Sequence, residues 1–110
     1  MNTEIIKLIQ FTKRRPGMIF YKANNALPLN YINFFEGFLY GLECNYNINL
    51  ERELSKWYQE KVKFKAPNMN WFAQFDHINE NLSKEEKVVK LLDTLEEFFL
   101  NHDLNSYSLK

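Results

Sequence analysis

Apolar residues recur every three or four positions in five stretches of this chain, and no stretch sustains the every-second-residue alternation of a half-buried strand. The first stretch is Ile5, Ile6, Leu8, Ile9 and Thr12, with Asn2 or Thr3 available to cap its start. Lys13-Arg14-Arg15 falls where a helix dipole is negative, which favours cations. Pro16 ends that helix. Pro16-Gly17 is the favoured central pair of a type II turn, after which Met18 to Tyr21 reads as an extended piece crossing the core and Asn24-Asn25 as loop.

Pro28 suits the first turn of a second helix running to about Cys44. Ile32, Phe35, Leu39 and Leu42 form one apolar row, widened by Tyr31, Phe34 and Phe38, so the pattern predicts a centrally placed helix covered on more than one side. Gly37 and Gly41 each cost about 1 kcal/mol relative to Ala in a helix, and close approach of a neighbouring backbone is the expected compensation. Asn49 is placed to cap a third helix, with Glu51 and Glu53 near its start and Leu50, Leu54, Trp57, Tyr58, Lys61 and Val62 on one face. Asn68 is placed to cap a short fourth helix whose Trp71, Phe75, Ile78 and Leu82 face one way. Ser83-Lys84-Glu85-Glu86 reads as a capping box opening the strongest helix of the chain. There Val88, Leu91, Leu92, Leu95, Phe98 and Phe99 point inward, and Glu86 to Lys90 is a favourably oriented pair.

The expectation is an all-α, single-domain bundle of about five helices over residues 1–110, its polar tail fraying from about Asp103. With 110 residues, 45% of them hydrophobic, the chain can bury one core but not two. No run has the length of a bilayer span and no signal-peptide pattern appears near the N-terminus. The single cysteine, Cys44, has no partner for an internal disulfide, so a reducing, cytoplasmic setting is expected.

Net charge is zero but unevenly distributed. Residues 1–22 carry +4, residues 23–60 carry −3, Lys61, Lys63 and Lys65 add +3, and residues 66–82 and 83–110 carry −2 each. Such patches suit protein recognition. With no polybasic tail, a dedicated nucleic-acid function is not expected, because phosphate neutralisation dominates that affinity. Trp57-Tyr58 beside Lys61-Val62-Lys63-Phe64-Lys65 combines the rings and cations that clamp a single strand, but those aromatics fall on the apolar stripe, where burial is the ordinary outcome.

The residues offer little reactive chemistry. His77, His102 and Cys44 have no metal-ligand spacing, and the three glycines build no phosphate-cradling loop, so neither metal nor cofactor is expected. A nucleophilic arrangement has to draw on Cys44, Asp76 and His77, and a partly buried structural thiol is the simpler reading of Cys44. Glu85-Glu86 and Glu96-Glu97 read as solvated pairs, whereas glycosidase-type chemistry needs one acid desolvated. What remains is surface. Glu36, Tyr40 and Glu43 lie four and three apart, which makes Tyr40 a candidate protein-binding anchor flanked by acids, the alternative being a tyrosine lying flat on its neighbours. Asp76 and Glu80, four apart, form a second candidate acidic spot.

The order Lys13-Arg14-Arg15-Pro16-Gly17-Met18, an aromatic helix with Gly37 and Gly41, Leu54 to Tyr58, a short Trp71 helix, then Glu85-Glu86 through Leu95-Glu96-Glu97-Phe98-Phe99-Leu100 resembles a group of small helical bacterial immunity proteins. That group is associated with polymorphic toxins and contact-dependent growth inhibition. The likeness spans about residues 5 to 100; the group carries a glycine three residues after the methionine, where this chain has Tyr21. Arg-Pro-Gly-Met also resembles part of the ATP-binding region of type II topoisomerases, but the strands and glycine-rich lid of that fold are missing from the pattern. The immunity resemblance implies a protein that binds one cognate toxin domain, blocks its active site or substrate access, and does no chemistry itself. It carries over no binding residue, and Arg15, Pro16 and Gly17 are read as shaping the turn. The acidic patches would favour a basic, nuclease-like toxin. A helical adaptor or regulatory domain binding another cytoplasmic protein is the alternative.

Overall fold

Five helices follow one another in the computed structural model: α1 (Asn2–Arg14), α2 (Pro28–Asn45), α3 (Leu50–Val62), α4 (Trp71–Ile78) and α5 (Lys84–Asn101), with a 3₁₀ turn at Pro16–Met18. The structure describes residues 2–20, 27–65, 68–104 and 107. The expected Asn24-Asn25 loop, Tyr21 and Ala66-Pro67 lie outside them.

The starts of α2 to α5 each have a local cause. Pro28 supplies a fixed φ in the first turn of α2, and the Leu27 amide donates to the Asn30 side chain. Asn49 accepts from the Arg52 amide at α3, and Ser83 and Glu86 exchange backbone bonds at α5. At α4 the cap is Asn70, whose side chain accepts from the Ala73 amide, two residues after the expected Asn68. Lys63, in the left-handed conformation with φ 57°, ends α3.

Helix α2 packs against both α3 and α5, so it is covered on more than one side as its wide apolar stripe predicts; α5 in turn packs against α1, and α3 against α4. Leu91, Leu92, Leu95, Phe98 and Phe99 are buried as expected, and Val88 packs against the edge of the core. Trp71, Tyr58, Phe35, Phe75 and Phe98 are the largest fully buried side chains. Tyr58 meets Trp71 edge-on at 5.6 Å and Trp57 meets Phe98 at 5.5 Å; such pairs add about 0.5–1.5 kcal/mol beyond their burial.

Several local expectations change. The Pro16 corner keeps the Arg15 carbonyl to Met18 amide bond of a β-turn, but Gly17 has no positive φ, so it is not a type II turn. The Ile19 and Phe20 amides both continue to the Pro16 carbonyl, which keeps the backbone winding instead of extended. Met18 is 70% exposed, and Phe20 packs against Tyr31 and Phe34. On α4, Phe72 and Gln74 are buried beside Trp71 and Phe75, whereas Ile78 is exposed. Asn2 does not cap its own helix. Its amide donates to the Phe99 and His102 carbonyls and its oxygen accepts from the Leu104 amide, so it closes the C-terminal end of α5. Of the described residues beyond Asp103, Leu104 is 2% exposed and Tyr107 packs against the core; the rest of the tail lies outside the described residues.

Lys13 bridges α1 to Asp93 and Glu96 of α5 at 2.6 and 3.2 Å, and Lys61 bridges α3 to Glu97 at 2.8 Å. Glu86 turns its carboxylate back to the Ser83 amide, which holds its pKa below the ordinary carboxylate value. Among the described residues, no helix is long and apolar enough to cross a membrane.

The open face of helix α2 as candidate functional site

Helix α2 is amphipathic, and its inner row is Tyr31, Phe35 and Leu39. Its outer row is not uniformly polar. Leu29 is 62% exposed and Tyr40 68%, so Tyr40 stands out from the surface and does not lie flat on its neighbours. Helical spacing surrounds Tyr40 with Glu36, Gly37, Glu43 and Cys44. Among the described residues a Cβ built on Gly37 or Gly41 meets nothing within 4 Å, so none of them makes the close approach expected there. Gly37 is exposed one turn before the tyrosine and leaves bare backbone beside it, whereas Gly41 is half-buried and its carbonyl accepts from the Asn45 side chain.

The acids on this face differ in what they do. Glu43 accepts from the Glu51 amide at 2.9 Å and so closes the start of α3, while Glu51 in turn accepts from the Trp71 amide at the start of α4. Burial pushes the Glu51 carboxyl above its ordinary pKa; the Trp71 amide opposes that, and the charges of Glu43 and Glu36 reinforce it. Glu36, Glu43 and Glu51 therefore share one negative field. Periodicity places Glu51 only at a helix start, and nothing in its spacing from Glu36 reveals that two helices bring the charges together.

Across from α2, Glu36 and Asp76 line one groove of about 570 Å³ between α2 and α4, with Leu27, Leu29, Ile32 and Phe72 among its walls. Asp76 is partly neutralised there, since Lys87 reaches it at 2.9 Å. Glu80 faces His77 at 3.9 Å. The structure thus joins Glu36, Tyr40 and Glu43 on one helix and Glu36 with Asp76 across a groove, while of the second pair Asp76 has Lys87 as an ion-pair partner and Glu80 lies beside His77.

The residues considered for reaction chemistry go to separate partners. Cys44 is exposed at the end of α2 and not partly buried as expected, Asp76 pairs with Lys87, and His77 stacks on Phe64 at 5.3 Å. Glu96 and Glu97 pair with Lys13 and Lys61. Tyr58 is buried, and Trp57 packs on Phe98 with the Lys61 ammonium 5.7 Å above its ring. Among the described residues, no group of three or more His, Cys, Asp or Glu is placed to hold a metal ion.

No protein-family model, curated protein or solved structure matches this chain.

Proposed function

We propose that this protein is an immunity protein that neutralises a cognate bacterial toxin domain by stoichiometric binding, with the open face of α2 as the contact surface. The observation that carries the reading is Tyr40, 68% exposed one turn after an exposed Gly37 at which an added Cβ would meet nothing within 4 Å among the described residues. A tyrosine offers large contact area at low entropic cost, and bare glycine backbone lets a partner approach closely. Glu36 and Glu43 flank it, so the favoured partner is a basic domain such as a nuclease, whose encounter the negative field would speed. Inhibition would come from covering the toxin's active site, in the cytoplasm where such toxins act, with no reaction at α2.

Co-purification with the protein encoded by the adjacent gene tests this. The expected result is a stable 1:1 complex, together with rescue of growth when that protein is expressed. A partner that is not toxic would instead mark an adaptor, and no complex with no rescue would discard the immunity reading.

A further inference from the structure

On a different surface, the C-terminal half of α3 carries a groove of opposite charge. Lys56, Gln59, Glu60 and Lys63 fall three and four apart along one face of that helix. The left-handed residue Lys63 then reverses the chain, the Phe64 amide turns back to the Gln59 carbonyl, and Lys65 is set beside the last turn. Together these residues line a groove of about 540 Å³. Its described walls come from long polar side chains, whose methylene stems can cover an apolar segment while their charged ends stay in water.

Among the described residues, three ammonium groups stand at this groove against the one carboxylate of Glu60. They are also unengaged. Lys13, Lys61 and Lys87 each reach a carboxylate, whereas among the described residues Lys56, Lys63 and Lys65 form no ion pair. We infer that this groove is a docking site for an acidic segment of a protein partner, one that carries several carboxylates along an extended stretch. A nucleic-acid strand fits less well. Sequence-independent strand binding leans on stacking platforms, and no aromatic side chain is among the groove's described lining. The nearby rings are already used, since Tyr58 is buried and Phe64 stacks on His77. The site does not depend on Tyr40, so the two surfaces succeed or fail separately.

Fluorescence anisotropy with a short fluorescein-labelled peptide rich in Glu and Asp tests this directly. The full chain should bind it saturably, and affinity should fall as salt is raised. Combining Lys56→Glu, Lys63→Glu and Lys65→Glu should weaken binding by at least about tenfold, the change expected from losing three surface charge pairs. The milder set Lys56→Gln, Lys63→Gln and Lys65→Gln should weaken it too, and serves if the reversed variant does not fold. Lys7→Glu, Arg14→Glu and Lys90→Glu make the same change in net charge elsewhere and should leave affinity within about twofold, as should Tyr40→Ala. No saturable binding would overturn the inference. So would equal loss in the distant variants, or tighter binding of a labelled thymidine oligonucleotide than of the peptide.

Discussion

Helices α2 and α5 are both 18 residues long and both rich in apolar residues, yet they are used in opposite ways. Helix α5 buries six of its residues, meets α1 and α2, and has its C-terminal end closed by Asn2. Helix α2 meets α3 and α5 but buries only three, and leaves Tyr40, Leu29 and Gly37 exposed. A 68% exposed aromatic buries little of its own surface in the isolated chain, and a glycine inside a helix costs about 1 kcal/mol relative to Ala. The contrast separates what builds this protein from what it can offer to another molecule.

Truncating one ring on each helix breaks the comparison most sharply. Phe98→Ala removes a fully buried ring that packs on Trp57, Phe99 and His102, and should cost about 3–5 kcal/mol in urea unfolding. Tyr40→Ala should change stability by no more than about 0.5 kcal/mol. Equal losses would mean that the two helices are not used differently.

The next effect is at the joint. Asn2→Ala deletes the side chain that bonds to Phe99, His102 and Leu104, and should cost about 2 kcal/mol. Hydrogen exchange should speed up at the end of α5 and not in α2.

Alanine at the glycines acts in the other direction. With open space around each Cβ and no positive φ, Gly37→Ala and Gly41→Ala should each stabilise α2 by about 1 kcal/mol, or roughly 4 °C in melting temperature. Both should weaken partner binding if α2 is the contact. Destabilisation would show that a close neighbour exists after all.

The smallest effect sharpens the account of the acidic field. Glu51 has a folded-state pKa raised above its ordinary value, so its contribution to stability is present when the carboxyl is protonated and is lost as pH rises through the raised value. Glu51→Gln keeps an oxygen for the Trp71 amide and removes the charge. It should melt higher than the parent at neutral pH, with the difference shrinking as pH falls into the ordinary carboxylate range. A constant difference across pH would mean that the Glu51 charge is not penalised.

Much of this fold was legible before any coordinates. Caps at Asn49 and Ser83, the stop at Pro16 and the inward row from Leu91 to Phe99 follow from local chemistry, which sequence records directly. What sequence could not record is which partner each face meets. The Gly37–Gly41 spacing is the same whether a helix lies on it or not, and Asn2 looks like a cap because its true partners lie about 100 residues away. The candidate site divided along the same line. Glu36, Tyr40 and Glu43 were readable from spacing on a single helix, whereas the involvement of Glu51 and the neutralising of Asp76 by Lys87 depend on helices that only folding brings together.

Calorimetric titration of the parent chain and Tyr40→Ala into the protein encoded by the adjacent gene, the proposed toxin partner, goes straight to the central claim. The parent should bind at a 1:1 ratio, and the variant should lose at least about 1–2 kcal/mol of affinity while melting at the same temperature. Undiminished affinity in the variant would contradict a contact through α2, and so would a loss that merely follows a fall in melting temperature.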